Sequence, residues 1–172
     1  MPLKPKVGFV YHVKDNYFEN AKDTSLRANK GKNHSRPSLF YMVDKTNANI
    51  FWMIPLTTKA EKYKLLYEKI KNKAGKCNGI IIGSYDGSDC AFLPQSMFPV
   101  TLQYISHVHK DSNSKKPLPV DEDLFKEIKQ NAQELRANFF TVRKGETIFT
   151  DIIRLKNLML DELRPASPEK TT

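Results

Sequence analysis

Residues 29–63 (NKGKNHSRPSLFYMVDKTNANIFWMIPLTTKAEKY) constrain the fold more than any other stretch. Two runs rich in aromatic and β-branched side chains, 38–43 and 50–56, flank the polar connection 44–49 (DKTNAN). Runs of that length bounded by turn-forming residues read as paired strands. Pro37 opens the first strand, where a missing N–H is tolerated, and Pro55 marks an end or an edge of the second. A hairpin sets the start of its first strand beside the end of its second. The cluster Lys32, His34 and Arg36 should therefore converge with Thr57, Thr58 and Lys59.

Around this hairpin the pattern is mixed. Residues 7–13 (VGFVYHV) read as a strand, followed by a short helix over 16–22 that Asp15 is placed to cap. Residues 23–35 form a polar loop longer than a minimal connection. Tyr63, Leu66, Tyr67 and Ile70 fall on one stripe of a helix over 59–73, stopped by Gly75. Thr57 or Thr58 could cap that helix, with Glu61 completing a capping box. Strands follow at 79–84 and 90–93 around Asp86-Gly87, a hairpin-turn pair, and at 100–109. A polar loop over 110–119 leads to an amphipathic helix over 121–139, with Leu124, Ile128, Leu135 and Phe139 inward. A last helix over 147–163 is apolar on most sides. The expectation is an α+β fold: a strongly bent antiparallel sheet or small barrel with flanking helices, one domain over 1–163 and a flexible tail over 164–172 (RPASPEKTT).

Charge points to the partner. The 172 residues carry a net +9. Residues 1–76 hold 16 Lys/Arg against 6 Asp/Glu, whereas 77–172 hold 12 against 13. All the excess positive charge thus lies in the part that contains the hairpin. Solubility alone would spread it evenly, and a polyanion partner accounts for the asymmetry. Cys77 and Cys90 lack metal-ligand spacing and read as reduced thiols of a cytoplasmic protein. Neither a secretory leader nor a run long enough to span a membrane stands out.

Cutting RNA without a metal requires three things. The proton of the substrate's 2′-hydroxyl must be removed, charge on the phosphate must be stabilised, and the 5′-oxygen must leave. Cations and hydroxyls aimed at the phosphate serve the second need, and His or Lys serves the proton transfers. Arg36, Lys32, Thr57 and Thr58 fit the phosphate, with His34 or His12 for the proton transfers. Lys14, Tyr17, Lys30, Trp52, Lys59, Lys62 and Lys64 are candidates for contacts along the RNA. Each has a plainer alternative. Thr57-Thr58 read as well as a helix cap, Trp52 as core, the lysine run as a solvated face, and His107 and His109 as the wet side of a strand. No metal, zinc or phosphate-loop motif occurs, and no cofactor is expected. A non-catalytic RNA-binding module needs the same basic face. A DNA reader ranks last, because the helix over 59–73 has neither Arg nor Gln to read bases.

Asn33-His34-Ser35-Arg36-Pro37 entering a strand, then FWMIPLTTKAEKYK over 51–64, resembles the toxins of type III toxin–antitoxin systems. Within them it is similar to the CptN-like group, relatives of the ToxN and AbiQ toxins. YHVKDNYF (11–18) and AFLPQSMFPVT (91–101) fit the same pattern in the same order. The resemblance implies a bent, barrel-like sheet shared with Kid/MazF-type toxins. It implies a sequence-selective, metal-independent endoribonuclease leaving a 2′,3′-cyclic phosphate and a 5′-hydroxyl, acting on cellular or phage mRNA in abortive infection. It implies a small repeat-encoded RNA antitoxin that the toxin cuts into pseudoknotted units and that closes with it into an inhibited hetero-oligomeric complex. By position, the family's basic residue falls on Arg36, its polar pair on Thr57 and Thr58, and its helix tyrosine on Tyr17. Lys59 matches the lysine beyond that pair only loosely.

Overall fold

The hairpin forms, and it is the middle of the sheet. In a computed structural model describing residues 2–26, 29, 35–141 and 148–166, β2 (Pro37–Val43) pairs with β3 (Phe51–Thr57). β1 (Val10–Val13) lies on the far side of β2, and β7 (Ile105–Val108) on the far side of β1. β4 (Ile81–Tyr85) and β5 (Ser88–Phe92) form a second hairpin. The described strands run β4-β5-β3-β2-β1-β7, all antiparallel, with β6 (Phe98–Val100) also on β3. The sheet is strongly bent and open rather than closed into a barrel.

Pro55 stands at the bend. Phe51 to Met53 pair with β6, whereas Leu56 and Thr57 pair with β5. Pro55 has no N–H to give a neighbour, and its carbonyl accepts from Leu93 N–H at 2.9 Å as the partner changes. One strand thereby serves two edges at an angle to each other.

Strand alternation sends the hairpin's side chains into two cores. Leu39, Tyr41, Trp52, Ile54 and Leu56 join Ile128, Ala132 and Leu135 of α3 (Glu122–Thr141). Phe40 and Met53 join Tyr17 and Ala21 of α1 (Asp15–Ala21) and Leu155 and Met159 of α4 (Ile152–Leu163). Both faces are covered, so the two strands read as nearly continuous apolar runs. Truncating Phe40 or Trp52 to Ala would cost about 3–5 kcal/mol. A third cluster joins Tyr63 of α2 (Ala60–Ala74) to Ile80, Ala91 and Leu93. At Gly83 an added Cβ would lie 2.6 Å from Leu124, so α3 packs on β4 where there is no side chain.

Several boundaries differ from expectation. The strand expected over 100–109 is split by a single 3-10 turn, Leu102–Tyr104, so that β6 meets β3 while β7 meets β1. The first strand shortens to Val10, because Val7 and Gly8 turn, with Gly8 at φ 90°. Asp15 is the first residue of α1 rather than its cap. α4 starts at Ile152, where the Asp151 side chain accepts Arg154 N–H at 3.1 Å. Its apolar surface is not all inward, since Ile153 is exposed. Gly75 ends α2 as expected, at φ 79°. Asp86 and Gly87 both adopt positive φ, 48° and 75°, as a two-residue turn between twisted strands requires.

Candidate active site

The β2–β3 register pairs Ser38 with Pro55 and Leu39 with Ile54. Continued by two residues, it sets Arg36 opposite Thr57. Arg36, Thr57, Thr58 and Ser35 line one cavity of about 190 Å³, whose apolar walls are Pro37, Leu56 and Cys90. The two clusters that flank the hairpin in sequence thus meet at its mouth. A guanidinium and three hydroxyls there match the donors a phosphodiester needs. Burial pushes the Cys90 thiol up, which leaves it protonated and poorly nucleophilic.

The threonines are not a helix cap. Lys59 precedes α2, and no side chain caps it. The Thr57 hydroxyl accepts only Lys59 N–H, at 3.3 Å, and Glu61 pairs with Lys64 at 3.0 Å instead of closing a capping box. Thr58 is exposed. On the other wall, Asn29 fixes the chain before β2. Its amide donates to Val13 O at 2.8 Å and to Asp15 Oδ1 at 2.7 Å, and its carbonyl accepts Arg36 N–H at 2.8 Å. This ties the residues before β2 to β1 and α1.

His12 lies behind the cavity. Its Nδ1 is 2.7 Å from Ser35 Oγ and its Nε2 is 3.1 Å from His109 Nδ1. Its ring stacks on His107 at 4.5 Å. His109 Nε2 is 2.9 Å from Asp86 Oδ2. The Asp86 carboxylate is held down at about 2 by hydrogen bonds, chiefly from the Ser112 backbone N–H. Burial, reinforced by His107 and His109, lowers His12 to about 4, so its ring is neutral at neutral pH.

The other sequence candidates divide. Tyr17 is fully buried, and its hydroxyl donates to Pro99 O at 2.8 Å, so it packs α1 rather than meeting a base. Trp52 is 1% exposed and donates from Nε1 to Asp44 Oδ2 at 2.8 Å, which removes it as a stacking platform. Strand alternation could not separate an inner from an outer face when both faces are covered. Lys59 and Lys62 are exposed on and before α2. Lys64 is partly neutralised by Glu61 and by Asp89 at 3.8 Å. Lys14 is exposed, with its ammonium on Gln103 O at 2.8 Å. Lys30, Lys32 and His34 lie outside the described residues.

Sequence reasoning passed over Ser35, Asp86 and His109. The signal for His109 is its alternation with His107, which turns both toward His12, His107 from β7 and His109 from just past its end. In the sequence the alternation reads as a solvated face, yet of the two only His107 is exposed. Asp86 was read as a turn former, and its side chain has a second use. Among the described residues no three His, Cys, Asp or Glu side chains are grouped to hold a metal ion. No described helix is long and apolar enough to cross a membrane.

No protein-family model matches the chain, and no curated protein matches it. A solved structure does. It is described as "New insights into the mechanism of bacterial Type III toxin-antitoxin systems: selective toxin inhibition by a non-coding RNA pseudoknot". It superposes with a TM-score of 0.64 over 92% of this chain and 100% of its own, at 14% identity. The chain shares the fold of that structure. At that identity the likeness carries the architecture, and the resemblance read from residues 11–18, 33–37, 51–64 and 91–101 agrees with it.

Proposed function

We propose that this protein is the toxin of a type III toxin–antitoxin system: a cytoplasmic, metal-independent endoribonuclease restrained by a small structured RNA. The observation that carries this reading is the convergence of Arg36, Thr57 and Thr58 on one cavity, in a fold shared with a toxin structure studied with its RNA pseudoknot. In this reading the scissile phosphate sits at the hairpin mouth. The Arg36 guanidinium faces the non-bridging oxygens, and the Thr57 and Thr58 hydroxyls donate to them as negative charge builds. The 2′-hydroxyl attacks the phosphorus and the 5′-oxygen leaves, giving a 2′,3′-cyclic phosphate and a 5′-hydroxyl. His12, behind the cavity, is where the proton ends, and Lys32 and His34 belong to the same proposal from sequence position. Lys14, Lys30, Lys59 and Lys62 guide the strand. The antitoxin, a repeat-encoded RNA cut by the same groove, stays there as inhibitor within a closed hetero-oligomeric complex. Cellular or phage mRNA is the substrate when the antitoxin is lost, which gives abortive infection.

The test is incubation of the purified protein with RNA in a chelator, followed by end analysis. Cyclic-phosphate ends are expected. Intact RNA bound by the protein would leave a non-catalytic RNA-binding module. Cutting that appears only with a divalent metal would sink the mechanism.

A further inference from the structure

We propose that Ser35, His12, His109 and Asp86 form one proton-transfer chain, in which the Ser35 hydroxyl is the cavity's acceptor for the 2′-hydroxyl proton. The inference rests on the ribonuclease reading and names its base.

The directions of the hydrogen bonds follow from one end. The ionised Asp86 carboxylate can only accept, and it already accepts from Ser112 N–H at 2.9 Å and Ser112 Oγ–H at 2.7 Å. His109 must therefore carry its proton on Nε2 to donate to Asp86 across 2.9 Å. A neutral His109 then has a bare Nδ1. His12 Nε2, 3.1 Å away, must donate to it. A neutral His12 then has a bare Nδ1, 2.7 Å from Ser35 Oγ, which is placed to donate to it, while the Ser35 backbone favours the charged ring. One carboxylate fixes two tautomers and aims the hydroxyl hydrogen of Ser35 at a base. The chain crosses from the β4–β5 turn through β7 and β1 to the cavity wall, where Ser35 stands beside Arg36. The backbone holds it as well: His109 N–H donates to Val10 O at 2.7 Å, and the His109 carbonyl accepts from Leu118 N–H.

The step balances as follows. Ser35 Oγ takes the proton of the RNA 2′-hydroxyl as its own proton passes to His12 Nδ1. The 2′-oxygen bonds to phosphorus, the bond from phosphorus to the 5′-oxygen breaks, and that oxygen takes a proton from water. The imidazolium left at His12 donates from Nε2 toward His109, which donates toward Asp86, so the new charge faces a carboxylate through one ring. His12 then returns its proton to water. Ser35 touches the substrate, while His12, His109 and Asp86 position and hold the proton. Among the described residues, the titratable groups facing His12 are His107 on β7 and His109 just past its end.

The experiment measures single-turnover cleavage of a mixed-sequence RNA pool by the full chain in chelator, against pH. Binding of the same pool with 2′-O-methyl groups is measured separately. Ser35→Ala should slow cleavage by about 10²-fold or more, and Ser35→Thr, which keeps the hydroxyl, should recover most of it. Asp86→Asn should slow it by about 10²–10⁴-fold, with binding unchanged. It should also move the acid limb of the pH profile to lower pH, because the carboxylate no longer favours charged His12. A merely structural Asp86 would lower the rate without moving that limb. Should His12→Ala fail to fold, His12→Gly with added imidazole serves, and recovery of rate is expected. Wild-type cleavage that persists within about threefold in Ser35→Ala and in Asp86→Asn overturns the chain and leaves the ribonuclease reading intact. A wild-type protein that leaves the pool uncut overturns both.

Discussion

The two ends of the β2–β3 hairpin are built from similar polar material and end in opposite states. At the turn, Asp44 is saturated. It accepts from Thr46 N–H and Oγ–H, Asn47 N–H and Trp52 Nε1–H, with Lys156 at 3.2 Å and Arg136 at 3.7 Å. Burial works against its charge, yet these donors outweigh burial and hold the carboxyl well below the usual range. The Arg136 guanidinium also covers the Trp52 ring at 4.0 Å. At the mouth, Arg36 and the Thr57 and Thr58 hydroxyls line an open cavity, while the Ser35 hydroxyl meets His12 behind it. Saturated charge stabilises a fold. Donors turned toward an opening are what a polyanion needs. Composition makes the two ends look alike, and only the pairing separates them.

The sharpest way to break this comparison is to truncate each end. Arg36→Ala should slow RNA cleavage by about 10²–10³-fold, an effect larger than any on the melting temperature. Asp44→Ala should do the reverse. It strands two cations that keep some water contact, so the loss of stability is about 3 kcal/mol, near the low end for a broken buried pair. That is roughly 6–12 °C in Tm by thermal denaturation, with the cleavage rate of the folded fraction unchanged. If Arg36→Ala unfolds the protein or Asp44→Ala silences a folded one, the division between the two ends is wrong.

Smaller effects sharpen it. Thr57→Ala removes an uncharged donor worth about 1–1.5 kcal/mol, which is roughly 5–13-fold in cleavage rate, and Thr57→Ser should restore it. His12 tests the ground behind the mouth. Its folded value of about 4 lies below its ordinary 6.5, so the unfolded chain binds the extra proton first. Stability should therefore fall as pH drops from about 6.5 to about 4, and His12→Gln should flatten that slope in a denaturant series. Asp86, held at about 2, adds a further loss only below about pH 4. Tyr17→Phe should cost about 1 kcal/mol through the lost bond to Pro99 O and leave RNA binding, read by filter retention, unchanged.

Much of the hairpin was legible because its signals are local. Turn residues at 44–49, Pro37 and two apolar runs mark where the strands start, whereas Pro55 lies inside β3, which runs on to Thr57. The strands' antiparallel pairing, with a register shift between Phe40 and Met42, then brings Arg36 beside Thr57. What sequence could not give was a consequence of closure in space. Trp52 and Tyr17 looked available because aromatic rings serve cores and bases equally, and only the helices on both faces decide. The split of 100–109 escaped because its alternation continues through the 3-10 turn. His109 and Asp86 are 23 residues apart, and their 2.9 Å contact exists only because β4, β5 and β7 return to one end of the sheet.

The saturated turn also sets a clock. Asp44 and Trp52 leave the ribosome early, but the charges that complete their site come with Arg136 and Lys156. About a hundred residues separate Thr57 from Lys156, roughly 5–20 s of synthesis at the usual bacterial and eukaryotic pace. During that interval both strands of the mouth exist without the α4 side of their second core. A nascent chain thus holds the parts of its cavity before it holds the frame. Translation itself delays the moment at which the hairpin's mouth is complete.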